Sequence, residues 1–134
     1  MPLTRASCQT RGPLETFYGE LASSDDSMTA DIGRAMVDIL PDLHEMSRTR
    51  DVWGLTSHYH LWLLAADDYK SRWLVEIIGY SGEYVIGFRL PEADEPWPNA
   101  VVRGTARTKT DALEMIETAM VRSGGWLRGE PLSN

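Results

Sequence analysis

The chain has 134 residues, 43% hydrophobic and 25% charged, with one cysteine and a formal net charge of −7. That length predicts one domain with its own core. A single thiol excludes an internal disulfide, no apolar run approaches the ~20 residues that cross a bilayer, and a negative balance argues against nucleic acid, whose phosphates need lysine and arginine.

Residues 1–12, "MPLTRASCQTRG", lack periodicity and are expected to be a disordered tail. They hold no apolar central region, so they do not read as a secretory signal, and a cytoplasmic protein without membrane association is predicted. Cys8 falls in this stretch, a poor place for a nucleophile. The single domain is expected to span 13–126, with 127–134 as a C-terminal tail.

Pro13 suits a first helical position, and Leu14, Phe17, Tyr18 and Leu21 then share one face, which predicts a helix over 13–22. The "SSDDS" linker supplies N-caps for the next element. In "MTADIGRAMVDILPDLHEMSRTR", Ile32, Met36, Ile39, Leu43 and Met46 form one apolar seam. Asp31, Asp38, Asp42 and Glu45 fall largely on the other side. Pro41 would cost a continuous helix about 3 kcal/mol, but the seam keeps its phase across it, which predicts a kink and not a break.

The charge is unevenly placed. Residues 13–47 hold eight acids and one base, Arg34, so the whole excess of −7 lies there. Such a field suits solubility, and it also suits a basic protein partner.

From residue 52 the hydrophobic period is two, and one strand is predicted through "SHYHLWLLAADD". Ser81 and Gly82 read as a two-residue hairpin turn. That turn places Trp73 opposite Leu90, Val75 opposite Phe88, Ile77 opposite Ile86 and Gly79 opposite Tyr84 on an apolar face. A loop over 67–71 sets Leu63 against Val75 and Leu61 against Ile77, so Tyr59, Leu61 and Leu63 enter the core. A loop one residue shorter would bury His58 and His60 instead, which is the less favourable choice.

"PEADEPWPN" is a proline-rich acidic loop around Trp97, "AVVRGTA" a fourth strand, and "RTKTDALEMIETAMVRSGG" a helix capped by Thr108 or Thr110 and ended by Gly124 and Gly125. Trp126 is expected to fold back on the domain. The predicted fold is α+β, a four-stranded antiparallel sheet with N- and C-terminal helices on one face, in the order α-α-β-β-β-β-α.

Three surfaces carry functional expectations. The first is the acidic helix face of Asp31, Asp38, Asp42 and Glu45. The second is the mixed sheet face, where Trp62, Leu64, Leu74, Ile78, Tyr80 and Val85 leave more apolar surface than a solvated face should carry, which suits cover by the tail from Trp126, by a second copy of the chain in a homodimer or by a different partner. The third is Trp97 between Pro96 and Pro98, with Glu92, Asp94 and Glu95 beside it. His58, His60 and Glu76 share the mixed face and have a metal-binding composition, though the third member depends on the register. Ser57 and His58, adjacent on a strand, are expected to point to opposite faces and so not to pair as nucleophile and base. The leading expectation is a non-enzymatic acidic interaction module, without cofactor or metal, that blocks a basic partner protein as an inhibitor or immunity-like protein does. A dimeric chaperone or adaptor using the sheet face, and a small metal-dependent enzyme, are the alternatives.

Overall fold

The computed structural model describes residues 3–9, 12–68 and 72–126. They fold as a six-stranded mixed sheet with three helices on one face. The elements are β1 (Thr4–Arg5), α1 (Leu14–Ala22), α2 (Ser27–Met46), β2 (Trp53–Ser57), β3 (His60–Leu64), β4 (Val75–Tyr80), β5 (Glu83–Arg89), a 3-10 turn (Glu92–Asp94), β6 (Val101–Ala106) and α3 (Lys109–Arg122). The α+β class agrees with the sequence. The expected four-stranded antiparallel sheet is corrected to six strands in the order β1-β2-β3-β4-β5-β6, with β1 parallel to β2 and every other pair antiparallel.

Each extra strand has a physical cause. The single strand expected from residue 52 is a hairpin: Ser57 pairs with His60, and His58 and Tyr59 form the turn at φ 51° and 69°. Both central residues are left-handed, as the tight antiparallel turn requires. β1 lies in the stretch expected to be a loose tail. Thr4 N–H donates to Val52 O and Ala6 N–H to Gly54 O, while Leu3 and Ala6 are buried. The Gln9 carboxamide extends the ladder reciprocally, accepting from Thr56 N–H at 2.9 Å and donating to Thr56 O at 2.8 Å. A parallel pair needs a long crossover, which α1 and α2 provide.

The central register is the one the sequence predicts. Leu63 pairs with Val75 and Leu61 with Ile77, and the Ser81–Gly82 turn sets Val75 on Phe88, Ile77 on Ile86 and Gly79 on Tyr84. Part of the loop expected at 67–71 lies outside the described residues, as does the tail 127–134. One local slip departs from the pattern. Leu74 N–H donates to Leu63 O although Leu63 pairs with Val75, and the Leu74 side chain joins the core beside Gly125. Two residues thus oppose one, a bulge. Trp73, expected in the core, turns to the other face and stacks on Trp62.

α2 runs through Pro41 as one helix, capped by Asp26 through Thr29 N–H. Its Met36, Ile39, Leu40 and Leu43 meet Leu61, Leu63, Val75 and Ile77 of the sheet and Ile116 and Met120 of α3 in one core. Each such burial contributes about 1.5–3 kcal/mol. Thr108 caps α3, Gly124 at φ 83° ends it, and the Trp126 indole folds back to donate to Asp51 O at 2.9 Å. α1 packs tightly on α2 because Gly33 admits it: a Cβ there would strike the backbone of Leu21 and Ala22.

Gly33→Ala therefore tests the helix–helix contact. Alanine gains ~1 kcal/mol in an open helix, but the obstacle here is backbone that cannot rotate aside. The variant is expected to lose about 1–3 kcal/mol, read as a lower urea midpoint at unchanged slope.

Candidate functional site

The two histidines are not brought into a three-ligand group with Glu76. His58 is exposed in the β2–β3 turn, and His60 begins β3 opposite Ser57. Glu76 is only 7% exposed and lies opposite Trp62 and Gly87. Its Oε1 accepts from Arg103 Nε at 2.6 Å. Gly87 makes that reach across β5 feasible, since a Cβ there would stand 2.8 Å from Glu76 Oε1 and 3.2 Å from Arg103 Cγ. Among the described residues no three His, Cys, Asp or Glu side chains are grouped as metal ligands. The turn does bring Ser57 Oγ within 3.4 Å of His58 Nδ1, against the expectation of opposite faces. That contact is long and solvent-exposed, and among the described residues no third group orients the imidazole, so it lacks the arrangement that activates a nucleophile.

The acidic face of α2 is largely matched from within. Ser81 N–H donates to Asp31, which also pairs with Arg34 at 3.7 Å. Asp38 and Asp42 share Lys109 at 3.5 and 3.3 Å, and Glu45 pairs with Arg48 at 3.3 Å. The hydrogen bond to Asp42, followed by the charges of Asp42 and Asp38, raises the pKa of Lys109 and keeps it cationic. Four acids meet three cations along this helix. Such exposed pairs contribute only ~0–1 kcal/mol each to stability, but they remove most of the local excess charge. At the start of α2, hydrogen bonds from the Thr29 side chain and backbone hold the Asp26 carboxyl below its ordinary pKa.

The sheet face away from the helices covers much of itself. Trp62 and Trp73 stack with centroids 5.3 Å apart and 17° between planes. The Arg89 guanidinium lies 4.3 Å from the Trp73 ring centre. Leu64, opposite Trp53, is buried although it is not part of the main core. Tyr80, at the β4–β5 turn, stays exposed.

Trp97 is the opposite case. It is 67% exposed, the most open of the large hydrophobic side chains described. Its loop is nevertheless held firmly. Arg72 reaches Glu92 at 3.5 Å, Glu95 at 3.1 Å and Leu90 O at 3.1 Å. Glu95 Oε2 accepts from Ala100 N–H at 3.3 Å, and that same N–H also meets Trp97 O at 3.3 Å. Pro96, Pro98 and Asn99, at φ 65°, complete the bend. Glu92 and Asp94 remain exposed on the same loop, and the loop leads directly into β6, the last strand of the sheet among the described residues. Of the residues singled out in the sequence, this loop brings together Glu92, Asp94, Glu95 and Trp97. It does not bring Asp31, Asp38, Asp42, Glu45, Trp62 or Tyr80 to them. Arg72 is the residue that sequence reasoning missed, since its pairing depends on a contact some twenty residues away along the chain.

No helix among the described residues is long and apolar enough to cross a membrane. The chain matches no protein-family model, no curated protein and no solved structure.

Two variants test these assignments. Left-handed backbone costs an L-residue about 1–2 kcal/mol and Asn-Gly is the preferred pair in such turns, so His58→Asn combined with Tyr59→Gly is expected to stabilise the fold by about 1 kcal/mol in urea. Tyr18 Oη would still donate to the residue 59 carbonyl. Arg103→Ala leaves the Glu76 carboxylate buried without its partner and should cost about 2 kcal/mol. Adding Glu76→Gln should recover part of that loss in the same denaturation assay.

Proposed function

We propose that this chain is a non-enzymatic protein–protein interaction module that seizes a basic partner protein through Trp97, acting as an inhibitor or immunity-like protein does. One observation carries the reading: an indole held out into solvent on a loop stapled by Arg72 and Glu95. A single exposed hydrophobic side chain is ordinary on a protein surface, and here it is the braced setting that matters. On a rigid loop it loses little entropy when it enters a partner's recess, and buried tryptophans of this kind are frequent binding hot spots. Asp94 is exposed on the same loop, Glu92 stays exposed while paired with Arg72, and the chain carries −7 overall. These charges favour lysine and arginine around that recess and speed encounter with a basic surface.

The test is quantitative capture from the native host. The wild-type chain should retain one basic protein, identified by mass spectrometry, with an affinity that falls as salt rises. Trp97→Ala should weaken the purified complex by at least about tenfold while leaving the urea midpoint unchanged. An undiminished complex with the alanine variant, or one indifferent to salt, overturns the assignment.

A further inference from the structure

Among the described residues β6 is the last strand of the sheet and pairs only with β5. Along such an edge, alternate residues direct their N–H and C=O groups away from the ladder. Natural edges are usually blunted by proline, by inward charges or by a covering element. This one has no proline between 101 and 106, and its single charge, Arg103, is drawn onto the far face by Glu76. α3 does not cover the edge either. It packs over β5, so Val102, which faces the helices opposite Phe88, is still 42% exposed.

Between β6 and α3 lies an open cleft of about 630 Å³. Its floor is Ile86, Phe88, Val102 and Ala106, and Met115 lies across Gly104, where a Cβ would stand 2.7 Å from Met115 Cε. Asp111 and Glu114 stand on the helical wall, both exposed, and neither has an ion-pair partner among the described residues. The nearby cations lie at the ends or on the far face. Arg107 follows the strand, Arg122 lies 5.6 Å from the Phe88 ring centre, and Arg103 is held by Glu76.

We infer that β6 and α3 form a docking groove for an extended, lysine- or arginine-bearing segment of a partner protein, which joins the sheet as an added strand beside β6. The open backbone row matches an extended chain, as in other cases of strand addition. Every second side chain of that segment faces the cleft. A lysine there lays its methylenes on Val102 and Met115, away from Arg122, and presents its ammonium to Asp111 or Glu114. The alternate side chains lie beside Val101, Arg103 and Thr105, where small uncharged residues fit. The basic character of the segment rests on the functional reading above, but the groove itself stands on the strand order and the cleft.

The probe is a capped peptide of alternating lysine and threonine, about eight residues long and so able to span β6 at ~3.4 Å per residue. It is added to the full chain and followed by amide hydrogen exchange and fluorescence anisotropy. Alone, the protein should exchange the outward amides of 101–106 rapidly, and the peptide should slow them. Glutamate in place of lysine should weaken binding by about tenfold, methylation of alternate peptide nitrogens should abolish it, and Glu114→Lys should reverse the charge preference. Three results overturn the inference. Protection already present in the dilute free protein means that the chain covers its own edge. Protection that grows with protein concentration means that a second copy does. Binding that leaves the β6 amides fast means charge attraction without strand addition. Trp97→Ala keeps this test separate, because it should release the partner while leaving peptide protection unchanged. Peptide protection with undiminished partner capture sinks the Trp97 reading alone.

Discussion

The β4–β5 hairpin fixes the phase on which the rest of the molecule depends. Its turn residues, Ser81 at φ 51° and Gly82 at φ 76°, permit one register, and that register sends Val75, Ile77, Ile86 and Phe88 to the same side. A slip by one residue would exchange both faces at once. Because the apolar side is continuous, all the helices must gather on it, and α2 is tied directly to the hairpin where Ser81 N–H donates to Asp31. The opposite side and the β6 edge are therefore left without helical cover. The surfaces available to a partner are consequences of a two-residue turn.

Much of this was readable before any coordinates. The spacing of Ile32, Met36, Ile39 and Leu43 locates α2, and burying leucines in preference to imidazoles selects the correct pairing of β3 with β4. What escaped has a common character: it depends on backbone geometry or distant contacts without a residue signature. His58 and Tyr59 turn a hairpin with none of the glycine or asparagine that marks one. β1 is two residues long and gains its place from Gln9 and Thr56, which no periodicity announces. The bulge at Leu74 reverses Trp73, and nothing local distinguishes it from regular alternation.

Charge shows the same division between composition and arrangement. The excess on residues 13–47 is real, yet Lys109, from the far end of the chain, sits between Asp38 and Asp42. Summing charge along a segment gives the distant field and not the local one. In energy these exposed pairs hardly matter. For recognition they matter more, because an incoming cation meets Arg34, Arg48 and Lys109 already beside the carboxylates of α2.

The two uncovered surfaces differ in how they meet water. On the open sheet face the indoles of Trp62 and Trp73 lie flat on one another and Arg89 caps the stack, so part of each ring is covered within the fold itself. The satisfied Glu76–Arg103 pair further anchors that face. At the edge the opposite choice is made: Trp97 stands exposed on a braced loop, and β6 beside it has, among the described residues, an unpaired row of backbone groups next to an apolar cleft. Neither feature adds to the stability of the isolated chain, and both raise the risk of unwanted association. A sequence that shields three tryptophans by stacking and folding back, yet uses two prolines and two ion pairs to hold a fourth outward, leaves its most open aromatic surface at that end of the molecule.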